Sequence, residues 1–348
     1  MPSLAAFDAE GFLLLRRSLQ VSVPMTALMR DEVEMRPLED LGNRSEQSIS
    51  PADQLMMAPY RKPLLHRPPD LREGVPIFLM PKGAAVKHDE RCVTYSWLSH
   101  RPLFGHAYRS LLPDYFDSMP FESGVMIGSF LPSAEIVPGL TFPGDVDVLI
   151  IPYEGDELVL SRALAVEIKV IRASFAKQGK SPNEFGFSQA RAMLAAGFPY
   201  VAVGHLIISD ESPRYAWREA MMTTVLDVDE GTCGPIVTVL QDMLPWDLLN
   251  RSYGRLTKIC SDPALGYFSA YPKGHGVWFP GGKSASSNPH ARKSVMDGIY
   301  AYYERNYGQF LLTRRFPSST PGAAVGKGSP GYKRHLEDVV AKMHRDFR

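Results

Sequence analysis

Four segments in the middle of this chain constrain its fold more than any other feature. Three of them, Val146–Ile151, Ala163–Ile171 and Tyr200–Ser209, are short apolar runs bounded by turn residues, as buried strands are. The fourth, Ser188–Ala196, lies before the third run and is predicted to be a helix that ends at Gly197. Two strands, a helix and a third strand in this order predict a mixed sheet with at least one helical crossover, and therefore an α/β protein.

Composition excludes several other classes of protein. The chain has 348 residues, of which 45% are hydrophobic, so it can bury a sizeable core in one or two domains. Three cysteines in 348 residues are too few for a disulfide framework, and because none of them lies in a CxxC pair, a finger-type zinc site is not expected. Reduced thiols and the lack of an apolar run of about 18 residues predict a cytoplasmic protein without a membrane-spanning helix.

The charge of the chain is balanced in total but unevenly distributed. The sequence has 38 basic and 38 acidic residues, yet residues 251–348 contain 16 Lys and Arg against 6 Asp and Glu. Cations that alternate with aromatic side chains in this part favour contact with a nucleic acid, although many of these aromatics have the spacing of helix core residues. The cations predicted to contact phosphates are Lys283, in a Gly-rich loop, and Arg292, Lys293, Arg314 and Arg315.

Three charged residues emerge from two of the predicted strands. Residues i and i+2 of a strand share a face, so Glu167 and Lys169 project together from a strand whose other face is apolar. If the two strands are antiparallel neighbours, Asp147 approaches Glu167. Two carboxylates and the backbone carbonyl of Ile168 then form an oxygen site for Mg²⁺, with Mn²⁺ as an alternative, and Lys169 can orient a water or neutralise phosphate charge.

Asp147, followed after nineteen residues by Glu167-Ile168-Lys169, resembles the PD-(D/E)XK phosphodiesterase superfamily, which includes restriction-type endonucleases. The resemblance covers about residues 105–210. It implies a restriction-endonuclease-like core, with a mixed central sheet flanked by helices and with N- and C-terminal additions. It also implies metal ligation by Asp147 and Glu167 and a catalytic role for Lys169.

The same resemblance implies two further site residues. Gln189, on the helix after the second strand, matches a polar residue that orients the site in the superfamily. An upstream helix often supplies a further acid, for which Glu122 is the better match and Glu135 the weaker. Because Asp145 shares a face with Asp147, the choice of metal ligand between these two residues stays open at this stage.

The sequence divides into a Pro-rich N-terminal region (1–100), a nuclease-like core (101–215) and a basic, aromatic-rich C-terminal region (216–348). The expected function is metal-dependent hydrolysis of DNA, endo- or exonucleolytic. The settings in which members of the superfamily usually occur suggest phage defence or a mobile element. Two alternatives stay open: a non-catalytic nucleic-acid-binding or assembly subunit that keeps the fold, and an RNA-cleaving enzyme. A homodimer or a larger complex also remains open.

Several local patterns give weaker predictions. Val93–Leu98 is read as a strand, preceded by a polar turn that contains His88, Asp89 and Glu90. Ile236–Leu249 is read as a helix, and Ala291–Leu312 has helical spacing. His205, alone in an apolar strand, is interpreted as a hydrogen-bonded core residue rather than a catalytic one. Tyr332–Phe347 is predicted to be a charged amphipathic helix after a flexible segment at Pro317–Pro330.

Overall fold

A central mixed sheet of nine strands, flanked by helices, organises the protein. The structure is a computed structural model that describes residues 59–69, 79–178, 183–227, 232–272 and 281–315. The α/β class predicted from the sequence is confirmed. None of the described helices has the length and hydrophobicity that a membrane crossing requires.

The strands are β1 (Arg61–Pro63), β2 (Ser123–Pro132), β3 (Asp145–Glu154), β4 (Glu157–Val159), β5 (Leu164–Ala173), β6 (Tyr200–Ser209), β7 (Arg218–Met222), β8 (Val225–Asp227), β9 (Thr232–Cys233), β10 (Val237–Gln241), β11 (Gly266–Ala270), β12 (Gly282–Lys283) and β13 (Leu311–Arg314). The helices are α1 (Lys82–Val86), α2 (Glu90–Ser99), α3 (Arg101–Leu111), α4 (Pro113–Ser118), α5 (Ser133–Ile136), α6 (Phe187–Ala196), α7 (Leu244–Ile259) and α8 (Lys293–Asn306). β7 with β10, and β8 with β9, form two small antiparallel sheets outside the central one.

The order of strands in the central sheet follows the predicted pattern. β3 lies between β2 and β5 and is antiparallel to both. β6 is parallel to β5, and α6 supplies the crossover between them; β11 is parallel to β6, after α7. The sheet continues to β12 on one side and, through β2, to β13 on the other. The mixed sheet with a helical crossover is therefore confirmed.

Both faces of the sheet are buried, which explains why its strands are almost continuously apolar. On one face, Leu149 and Ile151 pack with residues of α6 and α8. On the other face, Val148 and Ile150 pack with residues of α2 and α3. Alternate side chains of each strand thus enter different cores, as the period of a strand requires. Asp147 and Glu167 share the face that α6 and α8 cover.

The central sheet draws strands from all three regions into which the sequence was divided. β1 comes from the N-terminal region, and β11, β12 and β13 come from the C-terminal region. These strands have two to five residues, too short for a periodic pattern to be read in the sequence. In the described residues, the central region (101–215) and the parts that flank it therefore share one sheet.

Two local predictions were wrong, at Val93–Leu98 and over the first part of Ile236–Leu249, and a third was right over only part of its range. Val93–Leu98 lies within α2, where Val93, Thr94, Trp97 and Leu98 form its buried stripe. A short apolar run fits a strand or a helix equally well, and the deciding signal is Asp89, which caps α2 by accepting a hydrogen bond from the backbone N–H of Arg91.

The other two differences concern where a helix begins or ends. Within the predicted helix at Ile236–Leu249, the chain first forms strand β10, and α7 begins only at Leu244, with Pro245 in its first turn. Within Ala291–Leu312, helix α8 ends at Asn306 and the chain enters strand β13 at Leu311. Pro317–Pro330 and Tyr332–Phe347 lie outside the described residues.

Candidate active site

The sheet opens between β3 and β5. These strands pair at only three positions, which end at Val148 opposite Val166. Beyond that pair β3 stays beside β2, with Val146 opposite Leu131, while β5 stays beside β6, with Ile168 opposite Gly204. A gap therefore forms between the two strands at the level of Asp147, and backbone groups of β5 that face it need partners other than β3.

Asp147 supplies one of these partners. Its Oδ2 accepts a hydrogen bond of 2.7 Å from the backbone N–H of Ile168, and the residue is 5% exposed. The N–H and C=O of one strand residue point to the same side of the strand, so the Ile168 carbonyl also faces the gap. The structure thus brings together Asp147 and the predicted main-chain ligand.

Glu167 and Lys169 stand beside each other on β5. Glu167 is completely buried, and its Oε1 accepts a hydrogen bond of 2.5 Å from the Nζ of Lys169. Its Oε2 is buried and has no hydrogen-bond partner among the described residues. Leaving a buried carboxylate oxygen without a donor or a cation is costly, so this atom marks a place where a positively charged ligand is favoured.

Burial and mutual repulsion disfavour the charged forms of the Asp147 and Glu167 carboxylates. Burial, followed by the charge of Glu167, raises the pKa of Asp147 to about 8. Burial also raises the pKa of Glu167, although the hydrogen bond from Lys169 opposes this shift. Burial lowers the pKa of Lys169, but its bond to Glu167 and the surrounding acids outweigh that effect and the net shift is upward. A divalent cation would relieve the repulsion between the acids.

Glu90 is a site residue that the sequence analysis missed. It is the first residue of α2, half-buried, and it interacts electrostatically with Asp147, Glu167 and Lys169. Burial raises its pKa, Lys169 opposes this, and Asp145 adds to it. The sequence signal that could have identified it is Asp89, because an Asp at this position is typical of a helix N-cap and places Glu90 in the first turn of the helix.

Glu122, which was predicted to be the upstream acid on a helix, lies elsewhere. It immediately precedes strand β2, and its carbonyl accepts a hydrogen bond from the N–H of Gly155. Gly155 is eight residues from Asp147, which at about 3.3 Å per strand residue places Glu122 about 25 Å away along β3. Glu135, the weaker alternative, does lie in a helix, but this is the four-residue α5.

Asp145 and Gln189 lie at the margins of the gap. Asp145 is half-buried at the start of β3, opposite Pro132, and is close enough to influence the pKa values of Glu90 and Glu167. Of the two aspartates, Asp147 is the one bound to β5. Gln189 is half-buried in the first turn of α6, three residues after Gly186. A Cβ added to Gly186 would lie within 3.3 Å of the side chains of Glu167 and Lys169.

Among the predicted phosphate-binding cations, Lys283 has a different environment from the one expected. Its Nζ lies 3.3, 3.0 and 2.8 Å from the backbone carbonyl oxygens of Asp262, Pro263 and Leu265. An ammonium has three N–H groups, so these carbonyls occupy all its donors. Lys283 therefore holds a turn of the chain together and is not available to a phosphate.

The other four cations lie at a distance from the gap. The stem of Arg292 covers Gly197, at the opposite end of α6 from Gly186, and Lys293 pairs with Asp297 at 3.3 Å. Ten helical residues at about 1.5 Å each separate these basic residues from the gap by about 15 Å. Arg314 and Arg315 lie at the end of β13, and the Arg315 guanidinium contacts the Met119 carbonyl and the Phe116 ring.

The oxygen donors at the gap fit a hard cation such as Mg²⁺. Such an ion is bound through one or two carboxylates and keeps several waters or substrate oxygens. Asp147, Glu167 with its unpaired Oε2, and the Ile168 carbonyl form this kind of set. Within the described ranges, no group of three or more His, Cys, Asp and Glu residues is arranged to hold a metal ion. Glu90 and Asp145 add negative charge near the gap.

Comparison of the chain with protein-family models, curated proteins and solved structures returned no match. The resemblance to the PD-(D/E)XK superfamily therefore depends on the residues and on the geometry of the gap.

Proposed function

We propose that this protein is a metal-dependent nuclease with a restriction-endonuclease-like core that hydrolyses phosphodiester bonds in DNA. The observation that carries the proposal is the environment of the Glu167 carboxylate. Its completely buried carboxylate retains an unpaired oxygen, and it stands beside Lys169 and across the gap from Asp147. A buried, unpaired carboxylate oxygen destabilises the fold. Its presence is explained if the function of the protein requires the carboxylate at this position.

The proposed roles follow from the positions of the side chains. Asp147, Glu167 and the Ile168 carbonyl hold the ion, and Glu90 adds negative charge that strengthens its binding. A bound Mg²⁺ supplies Lewis acidity toward water and phosphate oxygens. Lys169, which is 20% exposed and remains protonated, can move from Glu167 to a phosphate oxygen and neutralise the charge that develops there.

DNA is proposed as the substrate because of the charge distribution of the chain. Four acids, Glu90, Asp145, Asp147 and Glu167, lie at the gap, whereas residues 251–348 carry a net charge of +10 that can neutralise phosphates outside it. Arg292 and Lys293 are exposed and lie about 15 Å from the gap, within reach of a duplex that spans several base pairs.

The function is tested by incubating the purified protein with supercoiled plasmid, single-stranded DNA and a single-stranded RNA, each with Mg²⁺ and with EDTA. We expect Mg²⁺-dependent cleavage of DNA by the wild-type protein and its loss in Lys169→Met. Cleavage of the RNA alone would replace the proposal with an RNA-cleaving enzyme. Binding of either nucleic acid without cleavage, in Mg²⁺ or Mn²⁺, would instead support a non-catalytic subunit that keeps the fold.

A further inference from the structure

His205 occupies a specific place behind the candidate active site. It is completely buried in β6, directly opposite Lys169 in the parallel register of β5 and β6. Both ring nitrogens have partners: Nδ1 lies 2.9 Å from Ser252 Oγ in α7, and Nε2 lies 3.1 Å from the carbonyl oxygen of Phe185. A buried imidazole needs a partner at each ring nitrogen, and here the two partners lie on two different elements, helix α7 and the turn that precedes α6.

The two partners define which nitrogen carries the proton. Burial lowers the pKa of His205 to about 4, so the ring is neutral at neutral pH and has one N–H. The carbonyl oxygen of Phe185 can only accept, so Nε2 donates to it. Nδ1 is then the acceptor, and the hydroxyl of Ser252 donates to Nδ1. Ser252 therefore fixes the tautomer that allows His205 to bind the Phe185 carbonyl.

The Phe185 carbonyl belongs to a turn whose backbone needs external support. Phe185 and Gly186 have φ values of 55° and 85°, so two consecutive residues adopt the left-handed conformation. Glycine adopts it freely, whereas phenylalanine does so at a cost that surrounding contacts must offset. The Phe185 ring also stacks on the His205 ring, with centroids 6.0 Å apart and planes 18° apart.

This turn packs against two residues of the proposed metal site, Glu167 and Lys169. A Cβ built on Gly186 would lie 3.1 Å from Cγ of Glu167 and 3.3 Å from Cγ of Lys169. The backbone of Gly186 thus packs against the side-chain stems of both residues, and it also caps the N-terminus of α6, which carries Gln189. Movement of the turn would release both stems.

We propose that His205, oriented by Ser252, is a positioning residue that holds the Phe185–Gly186 turn against Glu167 and Lys169. It does not touch the substrate; it acts through the turn. The expected effect of His205 on turnover rests on the proposed nuclease function. The contact between His205 and the turn does not, because it can be measured without any substrate.

Two substitutions separate positioning from simple core filling. His205→Gln keeps a side-chain N–H that can donate to the Phe185 carbonyl, and His205→Leu is apolar and has no donor. We expect His205→Leu to lower kcat for DNA by about 10- to 100-fold, the range found when residues that support metal ligands are changed, with an unaltered KM. We expect His205→Gln to retain a kcat close to that of the wild type. Equal kcat values in the wild type and His205→Leu, or equal losses in both variants, would overturn the proposal.

A milder pair of variants covers the case in which His205→Leu fails to fold. Ser252→Ala removes the hydroxyl that fixes the tautomer of His205. Ser209→Ala is its matched control, since Ser209 is also buried, lies on β6 and bonds to Tyr271 at 3.1 Å. Lower kcat in Ser252→Ala than in Ser209→Ala supports the proposal, and equal values overturn it.

Amide hydrogen exchange gives a readout that does not depend on cleavage. In a peptide that covers residues 185–196, we expect faster exchange in His205→Leu than in the wild type and His205→Gln. Unchanged exchange in His205→Leu would overturn the positioning role even if the protein is a nuclease. Conversely, faster exchange in a protein that cleaves no nucleic acid would support the positioning role and reject the proposed function.

Discussion

Asp147 Oδ2 lies 2.7 Å from the backbone nitrogen of Ile168, at the position where β3 and β5 cease to pair. The carboxylate replaces the backbone acceptor that a continuing ladder would have supplied to β5. The sheet can therefore open without leaving this N–H unsatisfied, and the opening exposes the Ile168 carbonyl to the same gap. One side chain thus both permits the opening and contributes an oxygen to it.

Asp147→Asn is expected to stabilise the metal-free protein at pH 8. The pKa of Asp147 is raised on folding from 3.8 to about 8, so the folded protein must bind a proton or bury a charge over this range. A carboxyl with a raised pKa contributes stability below its unfolded pKa, and that contribution is lost as the pH rises through the folded value. Asparagine can still accept the hydrogen bond from Ile168 without a charge.

We expect the gain in the free energy of unfolding to be about 1–3 kcal/mol at pH 8 and to vanish toward pH 4. Urea unfolding in EDTA at both pH values measures it, with the exposed Asp114→Asn as a control. A variant less stable than the wild type at pH 8 would show that Asp147 is structural.

Glu90→Gln and Glu122→Gln are expected to differ in their effects on cleavage. Glu90 interacts electrostatically with Asp147 and Glu167, whereas Glu122 lies at the far end of β3. Loss of the Glu90 charge should weaken metal binding and lower the rate at limiting Mg²⁺ by about 10- to 100-fold. A Mg²⁺ titration of plasmid cleavage distinguishes the two variants, and the larger loss in Glu122→Gln would contradict the geometry.

Lys283→Met is expected to destabilise the protein without changing its affinity for DNA. Its ammonium binds three backbone carbonyls, and a hydrogen bond from a charged donor contributes at most about 1.5–3 kcal/mol. Because Lys283 is only half-buried and water can replace part of these bonds, we expect the net loss of stability to be no larger than one such bond, about 1–3 kcal/mol. Urea unfolding and fluorescence anisotropy with a labelled duplex measure the two quantities.

The exposed Lys293→Met serves as the matched comparison for Lys283→Met. Its ion pair with Asp297 is at the surface, so its removal should change stability little but weaken DNA binding. A drop in affinity for Lys283→Met that equals the drop for Lys293→Met would restore the original prediction that Lys283 contacts phosphates.

The strands and the approach of Asp147 to Glu167 could be predicted because their signals are local. Buried strands are continuous apolar runs, and the period of two places Glu167 and Lys169 on one face regardless of the rest of the chain. The end of α6 was equally local, since Gly197 adopts φ of 103°, a conformation that glycine favours.

The contribution of Glu90 could not be predicted because it depends on tertiary packing. Its helix α2 lies far upstream in the sequence, and only the packing of Trp97 and Leu98 against the sheet brings its first turn to the gap. The binding of Lys283 to three carbonyls has the same origin, since the shape of the turn at residues 262–265 is not encoded in a pattern near Lys283. The sequence shows how many cations are present, but it does not show which of them already bind other groups of the protein.

The most direct test of the site is the rate of plasmid cleavage in Mg²⁺ by Glu167→Gln beside Glu157→Gln. Glu167 is a completely buried acid whose Oε2 has no hydrogen-bond partner among the described residues, and Glu157 is a surface acid on β4 whose side chain is 55% exposed. With both variants folded, we expect Glu167→Gln to cleave at least about 100-fold more slowly than the wild type, while Glu157→Gln cleaves at the wild-type rate. Equal cleavage by the wild type and Glu167→Gln would contradict the assignment of the active site to the gap between β3 and β5.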